Sequence, residues 1–151
     1  MRPVIKKYSM NKAIKLILNK KLKEMEDWRT LNTVFMLGTT VGNKLSESYF
    51  GTDIVDASQI KHSKIGNTVL PILEIKESNI IEFYKQCKEK EKNEDFEAID
   101  FTLTAQNSNE YSRYAEKLSK EKIEEQLILG IALFGDQKEV KSLCGSLSRW
   151  E

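Results

Sequence analysis

The stretch QLILGIALFGDQKEVKSLCGSL, residues 126–147, decides the fold. Leu127 to Phe134 are eight consecutive apolar or glycine positions without polar alternation, so both faces of the strand they form must be covered and the strand belongs inside a sheet. Gly135 then permits a sharp turn. Asp136, followed three residues later by Glu139, has the spacing of a capping box and starts a short helix. Val140 and Leu143 share one side of that helix, and Gly145 stands where a left-handed residue would end it.

Outward from this stretch, a chain of 151 residues is the size of one ordinary domain, read here as 1–151 with a core over about 11–147 and a flexible lead over 1–10. No apolar run approaches the roughly 18 residues that would cross a bilayer. The opening MRPVIKKYSMNKAIKLILNKK is basic on both sides of a short apolar run and has no small-residue cleavage site, unlike a secretory signal. The expected setting is therefore cytoplasmic, without membrane contact. Cys87 and Cys144 are the only cysteines, too few for a disulfide framework or a cysteine-rich zinc site, and neither a metal nor a cofactor is expected. Charge is uneven: residues 1–23 hold eight Lys or Arg and no acid, and the remainder carries 16 basic and 23 acidic residues. Such a basic segment has the composition of a polyanion-binding face, with Lys15, Lys20, Lys21 and Lys23 as the candidate nucleic-acid contacts.

Ala13 to Asn19 alternates as a first strand, Ile14, Leu16 and Leu18 on one face and Lys15 and Ile17 on the other. A charged connection with Glu24, Glu26 and Asp27 leads to a helix over about Trp28 to Leu45. Its predicted buried stripe is Leu31, Val34, Phe35, Gly38, Val41, Gly42 and Leu45, the two glycines implying close approach to the sheet. Residues 46–68 form an extended, hairpin-like insertion with a short strand around Asp53 to Ala57. Thr68 to Lys76 is the next main strand, placed near an edge because Pro71 lacks a ladder donor. A helix from Asn79 to about Glu89 buries Ile80, Phe83, Tyr84 and Cys87. A third strand, Glu97 to Ala105, precedes a helix capped at Ser108 or Asn109 with Tyr111, Tyr114, Ala115 and Leu118 inward. The order predicts an α/β, three-layer fold: a mixed, mainly four-stranded sheet with helices on both faces.

With that order assembled, GIALFGDQKEVKSLCGSL, from Gly130 to Leu147, resembles the end of the type-two peptidyl-tRNA hydrolases of archaea and eukaryotes. The whole chain, from about Asn11 to Leu147, is similar to a bacterial domain family of unknown function that shares their fold. The carrying features are Asn19 at the end of the first strand, the helix LNTVFMLGTTVG containing Asn32, the strand VLPILEIK, the segment DFTLTAQNSNEYSRY and the final GIALFG strand. The resemblance implies the same sheet and helices, often assembled as a homodimer. In the hydrolases a lysine near the start of the first helix, an aspartate after the third strand and a threonine before the last strand accompany hydrolysis of the peptidyl-tRNA ester. Here those places hold Arg29, then Thr104, Ala105 and Gln106, then Glu124, Glu125 and Gln126. An arginine holds phosphate but does not relay protons near neutral pH, so the catalytic assignment does not carry over.

The candidate ligand site is a shallow pocket at strand C-terminal ends lined by Asn19, Arg29, Asn32, Thr104 and Gln106, groups able to read a carbonyl, amide or phosphate. His62, the only histidine, has no orienting partner evident in the sequence, and Asp95, Glu97 and Asp100 read as solvated charges. GTTVG lies within a helix and is not a phosphate loop. Trp28 and Trp150 belong at a core rim or dimer contact. The leading expectation is a binding domain for a small polar ligand or an RNA end such as that of tRNA. The alternatives are a hydrolase with a rebuilt site that uses Lys20, Lys21 or Lys23, and a structural homodimer joined through the apolar hairpin of residues 49–65.

Overall fold

In a computed structural model the described residues are 12–67, 70–92 and 95–151. The expected lead of residues 1–10, with Arg2, Lys6 and Lys7, lies outside them. The elements are β1 Lys12–Asn19, α1 Asp27–Gly42, β2 Ile54–Val55, β3 Lys61–His62, β4 Ile72–Ile75, α2 Glu77–Glu91, β5 Phe96–Thr102, α3 Leu103–Gln106, α4 Tyr111–Ser119, β6 Ile128–Asp136, α5 Gln137–Cys144 and β7 Ser148–Arg149. The main sheet has the order β5-β6-β1-β4-β7. β1 pairs parallel with β4, whereas β6 pairs antiparallel with both β1 and β5, and β7 antiparallel with β4. The strand written ILGIALFGD is thus interior, as its unbroken apolar run requires, and eight of its nine residues are buried.

Two cores sandwich this sheet. On one face Ile17, Leu73, Ile75, Ile131 and Leu133 pack with Ile80, Phe83 and Cys87 of α2 and Val140 and Cys144 of α5. On the other, Ile14, Leu16, Leu18, Leu129 and Phe134 pack with Leu37 and Val41 of α1. The alternation read in β1 holds: Ile14, Leu16 and Leu18 face α1, and Ile17 faces α2. Among the described residues the main sheet has five strands, not four; the added strand, β7, is only two residues long and carries no periodicity to read.

Several local readings change. Of the expected stripe of α1, Val34, Val41 and Leu45 do face the core, but the buried line runs through Thr33, Leu37 and Val41, and Leu31 and Phe35 face outward. Thr33 can be buried because its hydroxyl donates to the Arg29 carbonyl at 2.7 Å. Gly38 and Gly42 do not serve close approach: a Cβ on either would meet nothing within 4 Å. The close approach is made from the strand side, where a Cβ on Gly130 would lie 2.9 Å from Leu37 Cδ1 and 3.0 Å from Thr33 Cγ2. Gly135 is not the turn but an interior strand residue with φ 154°, and a Cβ there would lie 2.3 Å from the Asp95 carbonyl oxygen.

Asp136 does cap α5, accepting from the Lys138 amide, but Glu139 pairs with Lys90 at 2.6 Å instead of closing the capping box. Gly145 is right-handed, with φ −59°. Pro71 lies just before β4, whose outer edge β7 covers; Thr68 and Val69 lie outside the described residues. Thr104 and Ala105 belong to α3, and Tyr111 and Ala115 of α4 are exposed, only Tyr114 and Leu118 being half-buried. Residues 54–62 form a separate two-stranded hairpin.

The pairing directions make β1, β4 and β5 run the same way. Their C-terminal ends, Asn19, Ile75 and Thr102, therefore gather at one end of the sheet, from which α1 departs to one face and α2 to the other.

Candidate functional site

At that end, α1 follows β1 and α3 follows β5, and the two short paths bring residues 77 apart into contact. The Arg29 Nη1 donates to Gln106 Oε1 at 2.9 Å and to Asn107 Oδ1 at 3.1 Å. Gln106 answers with its amide nitrogen, which donates to the Arg29 carbonyl at 3.0 Å and to Asn32 Oδ1 at 3.1 Å. Glu26 Oε2 accepts from Arg29 Nε at 3.3 Å and from the Trp28 indole N–H at 3.1 Å, and the guanidinium stacks over the Trp28 ring, 4.5 Å from its centroid. Side chains of Trp28, Arg29, Asn32 and Gln106 so form one linked polar surface beside the first turn of α1.

The helix end contributes its own polarity. Glu26 stands at the N-cap yet makes no side-chain cap bond, because its carboxylate is turned to Arg29 and Trp28. The Glu26 side chain so leaves the first amides of α1 uncapped, although the Arg29 amide donates to the Glu26 carbonyl at 2.9 Å, and with the helix dipole this end favours an anion. Asp27 in the same turn supplies negative charge of its own and opposes an anion there.

Of the five residues read as the pocket, Arg29, Asn32 and Gln106 meet. Asn19 does not join them: it is fully buried, its amide donates to the Ile128 carbonyl at 2.9 Å, and its oxygen accepts from the Lys21 amide as the cap of the 3-10 turn Lys20–Glu24. Thr104 donates to Glu121 Oε1 at 2.7 Å and ties α3 to the segment after α4. Both fill structural hydrogen-bonding needs of the same sheet end. Sequence reading missed Glu26, Thr33 and Asn107. Glu26 was within reach of the spacing argument, since it precedes Arg29 by one turn; Asn107 had only its adjacency to Gln106.

The lysines of the turn carry partners. Lys23 and Lys20 lie 2.6 Å and 3.6 Å from the two Glu74 oxygens, and Lys21 pairs with Glu24 at 2.8 Å. Lys23 also sits 4.8 Å above the Trp150 ring, which places that tryptophan at the core rim. Lys15 stands half-buried within β1. Glu124 pairs with Lys85, and Glu125 accepts from the Lys122 amide, so neither is directed to Arg29.

His62 does have an orienting carboxylate, Asp56 Oδ2 at 2.9 Å, six residues earlier and across the hairpin. That bond, with the amides of Ile60 and Ser58, holds the Asp56 carboxyl below its usual range. Asp56 closes the hairpin loop, so the pair has a structural use. Asp100 is not simply solvated either, as it accepts from the Tyr84 hydroxyl at 2.7 Å. Among the described residues no group of three His, Cys, Asp or Glu could hold a metal ion, and no helix is long and apolar enough to cross a membrane.

No curated protein sequence matches the chain. A solved structure of a protein of unknown function from Agrobacterium tumefaciens strain C58 is similar over 95% of this chain and 100% of that one, with a TM-score of 0.78 at 12% identity. At that identity the likeness is one of fold. The family described as "Protein of unknown function (DUF2000)" matches residues 13–151, nearly the whole chain. The chain therefore belongs to the DUF2000 family, whose function is not known.

Proposed function

We propose that the chain is a binding domain, without hydrolytic chemistry of its own, for a small polar ligand carrying a carboxylate or phosphate, the terminal nucleotide of an RNA being one such ligand. The anion would sit at the first turn of α1, held by Arg29 and the uncapped amides, with Asn32 and Gln106 reading neighbouring polar groups and Trp28 offering a face for stacking. The observation that carries this reading is the convergence of Arg29, Asn32 and Gln106 from segments 77 residues apart at the C-terminal end of parallel strands.

The same contact supports a distant relation to the type-two peptidyl-tRNA hydrolases. On the resemblance described above, the places where those enzymes keep a lysine and an aspartate would fall at Arg29 and in the segment ending in Gln106, two residues that hydrogen-bond to each other here. Their substitution by a guanidinium and an amide removes a proton-transferring pair while keeping a phosphate-compatible cation. The third place, Glu124 to Gln126, contributes no hydroxyl.

Calorimetric titration with adenosine 5′-monophosphate and with inorganic phosphate tests the assignment. Binding is expected for the wild type, weakened about tenfold or more in Arg29→Ala through loss of a charge-assisted bond. Affinity for these single-phosphate probes should fall modestly with salt, as screening of one charge pair requires, if phosphate is the group recognised. Unchanged binding in Arg29→Ala defeats the site, and robust release of free tRNA from a peptidyl-tRNA substrate defeats the binding-only reading.

A further inference from the structure

Every amide around Arg29 has its orientation fixed by groups whose roles are not interchangeable. A guanidinium only donates hydrogen bonds, and a backbone carbonyl only accepts them. Gln106 must therefore turn its oxygen to Arg29 Nη1, at 2.9 Å, and its nitrogen to the Arg29 carbonyl, at 3.0 Å. That nitrogen also lies 3.1 Å from Asn32, which has to present its oxygen, and Arg29 Nη1 lies 3.1 Å from Asn107, which has to do the same. The Trp28 indole N–H is taken by Glu26 Oε2.

The arrangement is lopsided. Each of the three amide oxygens already accepts a bond within the cluster, whereas Arg29 Nη2, Asn32 Nδ2 and Asn107 Nδ2, all donors, have no partner among the described residues. Arg29 Nη1 is engaged inward twice, so the bidentate edge left to a ligand is the one that Nε shares with Nη2. Glu26 holds that edge at one point only, with Oε2 3.3 Å from Nε. The Glu26 side chain is 63% exposed and that of Arg29 16%, so the carboxylate stands in solvent while the guanidinium is set back. One long bond from an exposed carboxylate is readily exchanged for a better one.

With Arg29 as the ligand's anchor, as proposed above, we infer that the group recognised is a fully ionised oxyanion, one that accepts hydrogen bonds and donates none, and that it enters by displacing the Glu26 carboxylate from Arg29 Nε. The dianion of a phosphate monoester is such a group near neutral pH. Two of its oxygens take the Nε and Nη2 edge, and the free amide nitrogens of Asn32 and Asn107 supply further donors beside it. Glu26 is thus an internal competitor that lowers the affinity of the site, and it moves into water when the ligand arrives. A ligand oxygen that still carries a proton meets amide oxygens that are already engaged, and an unmet O–H is penalised. Sulfate, which has no proton to place, is therefore favoured over hydrogen phosphate.

Competition calorimetry with adenosine 5′-monophosphate, sulfate and inorganic phosphate at about pH 7.5 tests this. Glu26→Gln keeps the side-chain length, removes the charge and breaks no cap bond; it is expected to tighten nucleotide binding about threefold to tenfold. Asp27→Asn removes the same charge one residue on without freeing Arg29 Nε, and should tighten binding about twofold at most. Sulfate should displace the nucleotide at lower concentration than inorganic phosphate does. Equal effects of Glu26→Gln and Asp27→Asn, tighter binding in neither, or phosphate displacing the nucleotide at lower concentration than sulfate overturns the displacement, while loss of binding in Arg29→Ala still upholds the site itself. Binding indifferent to Arg29→Ala, or absent from the wild type and Glu26→Gln alike, overturns both.

Discussion

Gly130→Ala is the substitution whose cost follows most directly from the packing of α1 on β6. The added methyl would lie 2.9 Å from Leu37 Cδ1, 3.0 Å from Thr33 Cγ2 and 3.1 Å from Leu18 Cδ2. Leu18, Thr33 and Leu37 are all buried, so none can swing into solvent to make room. Three such contacts demand a shift of the helix or off-rotamer leucines, an overpacking cost of about 1–3 kcal/mol. The loss of an entropically costly strand glycine offsets at most about 0.5–1 kcal/mol. With each taken at the middle of its range, a net destabilisation of about 1 kcal/mol remains, lowering the melting temperature by about 2–4 °C for a chain of this size. Thermal melts and urea titrations followed by circular dichroism read it. Thr33→Ser deletes one of the three opposing methyls, so its cost should be smaller in the Gly130→Ala background than in the wild type, by about 0.5 kcal/mol or more. A Gly130→Ala protein as stable as the wild type, or a cycle with no coupling, would refute the claim that this glycine is what lets α1 lie close to the sheet.

Three further outcomes are expected. Gln59 holds φ 64° in the hairpin loop, so Gln59→Gly should slow amide exchange at Ile60 and Ser58, whose N–H groups bond to Asp56, by a free energy of about 1 kcal/mol; unchanged or faster exchange contradicts the loop geometry. The Lys23 ammonium, 2.6 Å from Glu74 Oε2, holds the Glu74 carboxyl below its usual range. A depressed folded-state pKa stabilises above the ordinary carboxylate range near 4.3 and ceases to do so as pH falls through the folded value. The stability gap between wild type and Glu74→Gln should therefore narrow between pH 7 and pH 3 in urea titrations, and a gap independent of pH would count against the ion pair. Burial pushes the Cys87 thiol up to about 12 and that of Cys144 to about 11, so an aromatic disulfide reagent should modify neither at pH 8 until the chain unfolds; rapid labelling of the native protein would show that these thiols are accessible.

The interior strand, the alternation of β1 and the order of helices and strands were legible because each rests on long periodic runs. β7 was not, being two residues long. The stripe of α1 was read in part, Val34, Val41 and Leu45 facing in as expected, and missed in part because Leu31 and Phe35 compete with Thr33 and Leu37 for the inward side and hydrophobicity alone puts Leu31 and Phe35 ahead of a threonine. A threonine can be buried when its hydroxyl finds the carbonyl four residues back. The polar cluster was partly legible. Arg29, Asn32 and Gln106 meet because each follows a strand end by a few residues, whereas Asn19 and Thr104, equally polar and equally close to those ends, are spent on a turn cap and on Glu121. Which of five such groups faces a common centre depends on how α1 and α3 pack, and composition carries no record of it.

The most direct test of the account is a titration of isotope-labelled protein with adenosine 5′-monophosphate, followed by the nuclear magnetic resonances of the Trp28 indole N–H, the Arg29 Nε–H and the Gln106 side-chain amide. Saturable shifts at all three are expected, with the turn Lys20–Glu24 little affected. Shifts confined to that lysine turn, or none at Trp28 and Arg29 while ligand binds elsewhere, would contradict it.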